Sequence, residues 1–206
     1  MKILGVDTTR KSAMIFLIND GDNIVKILNE NEKQSENLMI NIDSVLKENN
    51  LELNEIDCFS IVEGPGSFTG IRVGMATIKA FAYALNKPII AFNIFELISN
   101  YIEDGVVILE CTSNSVYYCK VKSNKIMEIG VEEKVNLGKF QKLIVLQEEH
   151  FLVDEAYKYN VLVINNYVDL VFKQIKVYFN SKNFTDSPEP YYVQLSQAER
   201  NLEVKK

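Results

Sequence analysis

Apolar and polar positions follow two different periods along this chain, and the same order of periods occurs twice. Residues 2–7, KILGVD, are an apolar run ending in an acid; a polar reversal from Thr8 to Ser12 leads into AMIFLIN, and Asp20-Gly21-Asp22-Asn23 leads into NIVKIL. Runs of β-branched residues separated by turn residues predict a three-strand meander. Leu38, Ile42, Val45 and Leu46 then recur at helical spacing between Ser35 and Lys47, with Ser35 placed to cap the helix. IDCFSIV at 56–62 is short and almost wholly apolar, as a buried parallel strand is. A glycine-rich loop follows, and a long helical stretch then runs to about Leu85, where Asn86 and Pro88 stop it, followed by a strand from Pro88 to Phe92 and a helix from Ile94 to Ile102.

Shifted by 103 positions, the opening pattern returns: VVILE at 106–110, a polar turn CTSNS, VYYCKV, then Ser123-Asn124 and KIMEI. Asp7 falls on Glu110 and Thr9 on Thr112, so we read an internal duplication. LIVLQ at 143–147 and VLVI at 161–164 predict strands and Val168 to Phe179 a helix. Meanders followed by alternating helices and strands predict an α/β protein with mixed sheets and flanking helices, the second copy reduced. Glu103-Asp104-Gly105 is placed as a hinge, giving lobes 1–104 and 105–206.

Composition narrows the function. With 47% hydrophobic and 24% charged residues in 206, the chain has the make-up of an ordinary soluble protein, and no apolar run reaches a membrane span. Asp7 and Arg10 interrupt what a leader peptide would keep apolar, so a cytoplasmic location without membrane contact is expected. The net charge of −6 resides in the first half, where 9 Lys and Arg face 15 Asp and Glu, against 13 and 13 in the second. That imbalance disfavours direct nucleic-acid binding by the first lobe. Cys58, Cys111 and Cys119 lack CxxC spacing and read as reduced thiols.

The stretch GPGSFTGIRVG, residues 64–74, invites a phosphate-loop reading, because a glycine turn after a strand aims backbone N–H groups of Ser67, Phe68 and Thr69 at an anion. The known signatures fail. No GxxxxGK[ST] is present, GxGxxG ends on Thr69 in place of its third glycine, and Ser67 is not in GxSxG. Gly66, Gly70 and Gly74 stand four apart and Thr77, Ala80 and Ala84 extend the small-residue stripe, which calls for close approach by a neighbour, either in the same lobe or in a partner chain. Phe68, Ile71, Met75, Ile78, Ala82 and Leu85 form a second, apolar face. Arg72 on the first turn, where a cation is mildly unfavourable, reads either as a solvated or intramolecular ion pair or as a salt bridge across an interface or to Glu63 beside the loop.

GPGSFTGIRVGMATIKAFAYAL, ILGVDTT and QSENLM resemble the most characteristic segments of the TsaB family of threonylcarbamoyladenosine tRNA modification, strongly over residues 1–100 and weakly beyond. The resemblance implies two ribonuclease H-like lobes of the actin-like ATPase type. It also implies a non-catalytic role, without cofactor or metal, in modifying ANN-decoding tRNAs. Such a protein pairs with a TsaD-like catalytic subunit, enables recruitment of a TsaE-like ATPase, meets tRNA only through that complex, and forms a homodimer when alone. Carried onto this chain, the pairing surface comprises Leu38, Ile42, Val45, Gly66, Phe68, Gly70, Arg72, Gly74, Thr77 and Ala80. Gln34-Ser35-Glu36 and Glu110-Cys111-Thr112 depart from the HSE and DAR that relatives often carry.

Two other readings remain. A glycoprotease-type metallopeptidase needs ligating histidines, and His150 is the only one in the chain. An actin-like ATPase would use Asp7, Thr8 and Thr9 in one phosphate turn and Glu110 and Thr112 in the other, leaving a vestigial nucleotide site; the first turn reads DTT without the glycine of DxGT, and no Gly-Gly pair follows.

Overall fold

The computed structural model describes residues 1–29, 34–152 and 161–194, and the side chains of Gln34, Ser35 and His150 lie outside the description. The expected cap at Ser35 falls there.

The first meander forms β1 (Lys2–Asp7), β2 (Met14–Asn19) and β3 (Asp22–Ile27). Helix α1 (Gln34–Glu48) crosses to β4 (Cys58–Val62), which lies parallel to β1, and α2 (Phe68–Leu85) crosses to β5 (Ile89–Phe92), parallel to β4. The resulting order is β3-β2-β1-β4-β5. Alternation along β1 divides the core in two. Leu4 and Val6 join Leu38, Ile42 and Val45 of α1 and Met75, Ile78 and Ala82 of α2 on one face. On the other face a Cβ added to Gly5 would sit 3.6 Å from Ile175 Cδ1, so the small residue admits a helix close to the sheet.

After the short α3 (Ile94–Ser99), the second meander forms β6 (Asp104–Glu110), β7 (Ser115–Lys122) and β8 (Lys125–Glu133), followed by β9 (Leu143–Leu146) and β10 (Val161–Ile164). The order β8-β7-β6-β9-β10 repeats that of the first sheet, strand for strand, with β9 parallel to β6 and β10 parallel to β9. Here 3-10 turns at Lys134–Lys139 and Gln147–Leu152 help cover the sheet; Leu137 and Leu152 close a core around Ile108, Val116 and Val145. Asp104 and Gly105, expected as a hinge, instead open β6. Asp104 lies opposite Lys122 and its Oδ1 accepts the Ser123 N–H at 3.1 Å.

The compact units are not the contiguous halves expected. One comprises residues 1–94 and 168–190, the other 95–167 and 191–206. Helix α4 (Tyr167–Asn180) accounts for the difference: Phe172 meets Phe16 of β2 edge-on at 5.4 Å, and Tyr178 meets Phe92 of β5 at 6.1 Å. Its aromatic residues cover the face of the first sheet opposite α1 and α2, and the Thr185 N–H then donates to the β5 carbonyl of Ile89 at 2.8 Å. Both sheets thus share one strand order, as the internal duplication predicts.

Candidate functional site

The β1–β2 turn is closed upon itself. Asp7, Thr8 and Thr9 are all buried; Asp7 Oδ1 accepts the Thr9 N–H at 2.9 Å and the Thr9 hydroxyl at 2.6 Å. A strand-end carboxylate that takes both donors two residues on makes an Asx-type turn. The Thr8 hydroxyl is fully buried and has no hydrogen-bond partner among the described residues.

The glycine loop lies against this turn. The Ser67 N–H, one of the donors expected for an anion, donates to the Thr9 carbonyl at 2.6 Å, and Ser67 Oγ caps α2 by accepting the Gly70 N–H at 3.1 Å. A Cβ on Gly66 would collide with the Thr9 carbonyl oxygen, and one on Gly74 with Thr8 Oγ1. The close neighbour demanded by these two glycines is thus the β1–β2 turn of the same lobe. Gly70 and Gly74 are buried along the inward side of α2. The mid-helix glycines cost about 1 kcal/mol each relative to alanine; at Gly74 the close seating of α2 explains the choice.

Several residues assigned from sequence to the pairing surface therefore face the interior. Leu38, Ile42 and Val45 are at most 2% exposed and belong to the core beneath α1. Gly66, Gly70 and Gly74 are committed to packing in the lobe. What remains on the outer side of α2 is the half-buried pair Phe68 and Thr77 with the exposed Arg72 and Ala80. The Arg72 guanidinium stacks 4.0 Å above the Phe68 ring, a cation–π contact that keeps a cation on the first helical turn. The Thr77 hydroxyl bonds back to the Val73 carbonyl at 2.9 Å.

Other surface residues escaped the sequence reading. Tyr83 on α2 is 92% exposed, and Met39 and Ile40 on α1 are 52% and 65% exposed. Together with exposed Ala76, Ala80 and Ala84 they give the paired helices α1 and α2 apolar outer positions. Their signal in the sequence is an apolar residue off the period that fills the core.

The second turn is built differently. Glu110 ends β6, its N–H donating to the buried carboxylate of Glu149 at 3.1 Å. Thr112 is exposed; its hydroxyl accepts the Asn114 and Ser115 N–H groups at 3.2 and 3.1 Å and shares a 2.7 Å hydrogen bond with Ser115 Oγ. Cys111 Sγ accepts a hydrogen bond from Gln194 Nε2. Burial pushes the thiols of Cys58 and Cys119 up to about 12. Among the described residues, no three His, Cys, Asp or Glu side chains converge on a point that could hold a metal ion, and no helix is long and apolar enough to cross a membrane.

Comparison with known proteins places this geometry. The model of the family described as TsaD, tRNA N6-adenosine threonylcarbamoyltransferase, matches residues 29–179. A tRNA N6-adenosine threonylcarbamoyltransferase of Brachyspira hyodysenteriae is 31% identical over 110 residues, covering 45% of this chain and 32% of that protein. The tRNA threonylcarbamoyladenosine biosynthesis protein TsaB of Haemophilus influenzae is 27% identical over 136 residues, covering 61% of this chain and 56% of that one. The chain thus spans between about a third and just over half of the length of these relatives. YeaZ from Pseudomonas aeruginosa superimposes with a TM-score of 0.67 over 94% of this chain and 99% of its own, at 14% identity, which shows a shared fold. The family model covers most of the chain, so the chain belongs to the family described as TsaD, tRNA N6-adenosine threonylcarbamoyltransferase.

Proposed function

We propose that this chain is a non-catalytic partner in tRNA N6-threonylcarbamoyladenosine modification, supporting a TsaD-like catalytic paralogue and enabling a TsaE-like ATPase to join. The observation that carries the pairing role is the apolar outer side of α1 and α2, where Met39, Ile40 and Tyr83 stay more than half exposed. Large apolar side chains gathered on two neighbouring helices favour a protein partner. The pairing surface is redrawn accordingly as Met39, Ile40, Phe68, Arg72, Ala76, Thr77, Ala80 and Tyr83. In the absence of the paralogue the same surface supports a homodimer, and tRNA is met only within the complex. Absence of catalysis is supported by the closed Asp7–Thr9 turn, in which the hydroxyl and the amide of Thr9 are both spent on Asp7.

The test is calorimetric titration with the paralogue from the same organism. Ile40→Asp and Tyr83→Glu should weaken the complex at least tenfold while leaving the circular dichroism spectrum unchanged. No complex at micromolar concentration, or wild-type affinity in both variants, refutes the pairing role. Micromolar binding of ATP and magnesium to the chain alone would favour the actin-like ATPase instead.

A further inference from the structure

Helix α2 has two sides with separate duties, and Thr8 is one of the side chains between it and the sheet. Its residue is 0% exposed, its hydroxyl has no hydrogen-bond partner among the described residues, and it stands against Gly74, two turns into the helix. A Cβ on Gly74 would collide with Thr8 Oγ1 and come within 3.2 Å of Thr8 Cγ2 and 3.1 Å of Ile61 Cδ1. Eight residues earlier, a Cβ on Gly66 would meet Thr9, at 2.8 Å from its carbonyl carbon and 2.8 Å from its Cβ. Both contacts fall on one turn, tied to the loop by the Ser67–Thr9 hydrogen bond. Both branches of the Thr8 side chain, Oγ1 and Cγ2, face Gly74, so what Thr8 presents to the helix is its branched shape.

We infer that Thr8 is a positioning residue: it sets the depth at which α2 seats on the sheet and thereby places the outer residues Ala76, Ala80 and Tyr83 of the same helix. A rigid helix passes a shift at its inner side on to its outer side, because packed interiors do not absorb added volume. The binding half of this inference rests on the pairing role proposed above; the seating half does not.

Two measurements separate them: hydrogen exchange of the amides of residues 68–78, and affinity for the catalytic paralogue. Gly74→Ala should speed exchange along this stretch and weaken binding at least tenfold, and adding Thr8→Ala to it should bring both back within threefold of wild type. Thr8→Val, which keeps the branched shape without the hydroxyl, should leave both unchanged. Wild-type exchange in Gly74→Ala, or failure of Thr8→Ala to rescue, overturns the inference. If Gly74→Ala does not fold, Thr8→Ala and Thr8→Val decide: the first should alter α2 exchange and the second should not, and equal behaviour overturns it. If exchange follows this pattern while the wild-type chain binds no paralogue, the pairing role fails and the seating role stands.

Discussion

Gly66→Ala is expected to be the most damaging single-methyl addition in the glycine loop. The new Cβ would lie against the carbonyl carbon and oxygen of Thr9, which are backbone and cannot rotate away. Overpacking against an interior typically costs about 1–3 kcal/mol, and a rigid neighbour puts this site at the upper end. Relief comes from lifting the loop off the turn, which breaks the 2.6 Å hydrogen bond from Ser67 to Thr9, a loss contained in that figure. About 3 kcal/mol is a rise of roughly a hundredfold in the open fraction. Gly21→Ala is the control: nothing lies within 4 Å of its Cβ, but φ is +114°, so it bears only the backbone cost of about 1–2 kcal/mol. Native-state hydrogen exchange of β1 and β4 amides reads the first lobe directly. A change below tenfold for Gly66→Ala, or an equal effect of both substitutions, would show that the loop does not clamp the turn.

In the second lobe, the hydrogen bond from Tyr118 to Glu128 pushes the phenol up from 10.0 to about 12. A raised acid favours the folded state below pH 10 and loses that contribution as pH climbs through about 12; ultraviolet titration should show a late component that Tyr118→Phe deletes and Glu128→Gln moves back toward 10. Glu132 is drawn down from 4.5 to about 2 by hydrogen bonds from Lys139 and then Asn136. Its contribution is present above pH 4.5 and fades as pH falls toward 2, so carboxyl-detected NMR of Lys139→Met should find Glu132 titrating closer to 4.5. Alkylation of the native chain followed by peptide mapping should label half-exposed Cys111 well before buried Cys58 and Cys119. Leu38→Ala, which empties a site 1% exposed, should cost about 2–5 kcal/mol in denaturant unfolding. Ile40→Ala, 65% exposed, should stay within about 0.5 kcal/mol yet weaken the paralogue complex; the opposite ranking would place Ile40 in the core.

The strands were legible because each meander pairs neighbours in sequence: turn residues at Asp20-Gly21 and Ser123-Asn124 fix where the chain reverses, and all four adopt positive φ. Helix α4 shows what a period leaves out. Its spacing states that one side of the helix is buried, but a sheet that accepts it need not adjoin it in sequence; Phe16 and Phe92, which receive Phe172 and Tyr178, precede them by more than eighty residues. The same limit acts within α1 and α2. Small residues at 66, 70 and 74 announce close approach without naming the neighbour, which the backbone of Thr9 and the side chain of Thr8 supply. Leu38, Ile42 and Val45 were drawn toward the partner because an apolar stripe looks the same whether it meets a sheet or another protein. A helix spends its regular stripe on its own core first, since that burial folds the lobe. The surface proposed for a partner is therefore read by subtraction, from the apolar residues that break the period: Met39 and Ile40 beside Leu38, and Tyr83 beside Ala82.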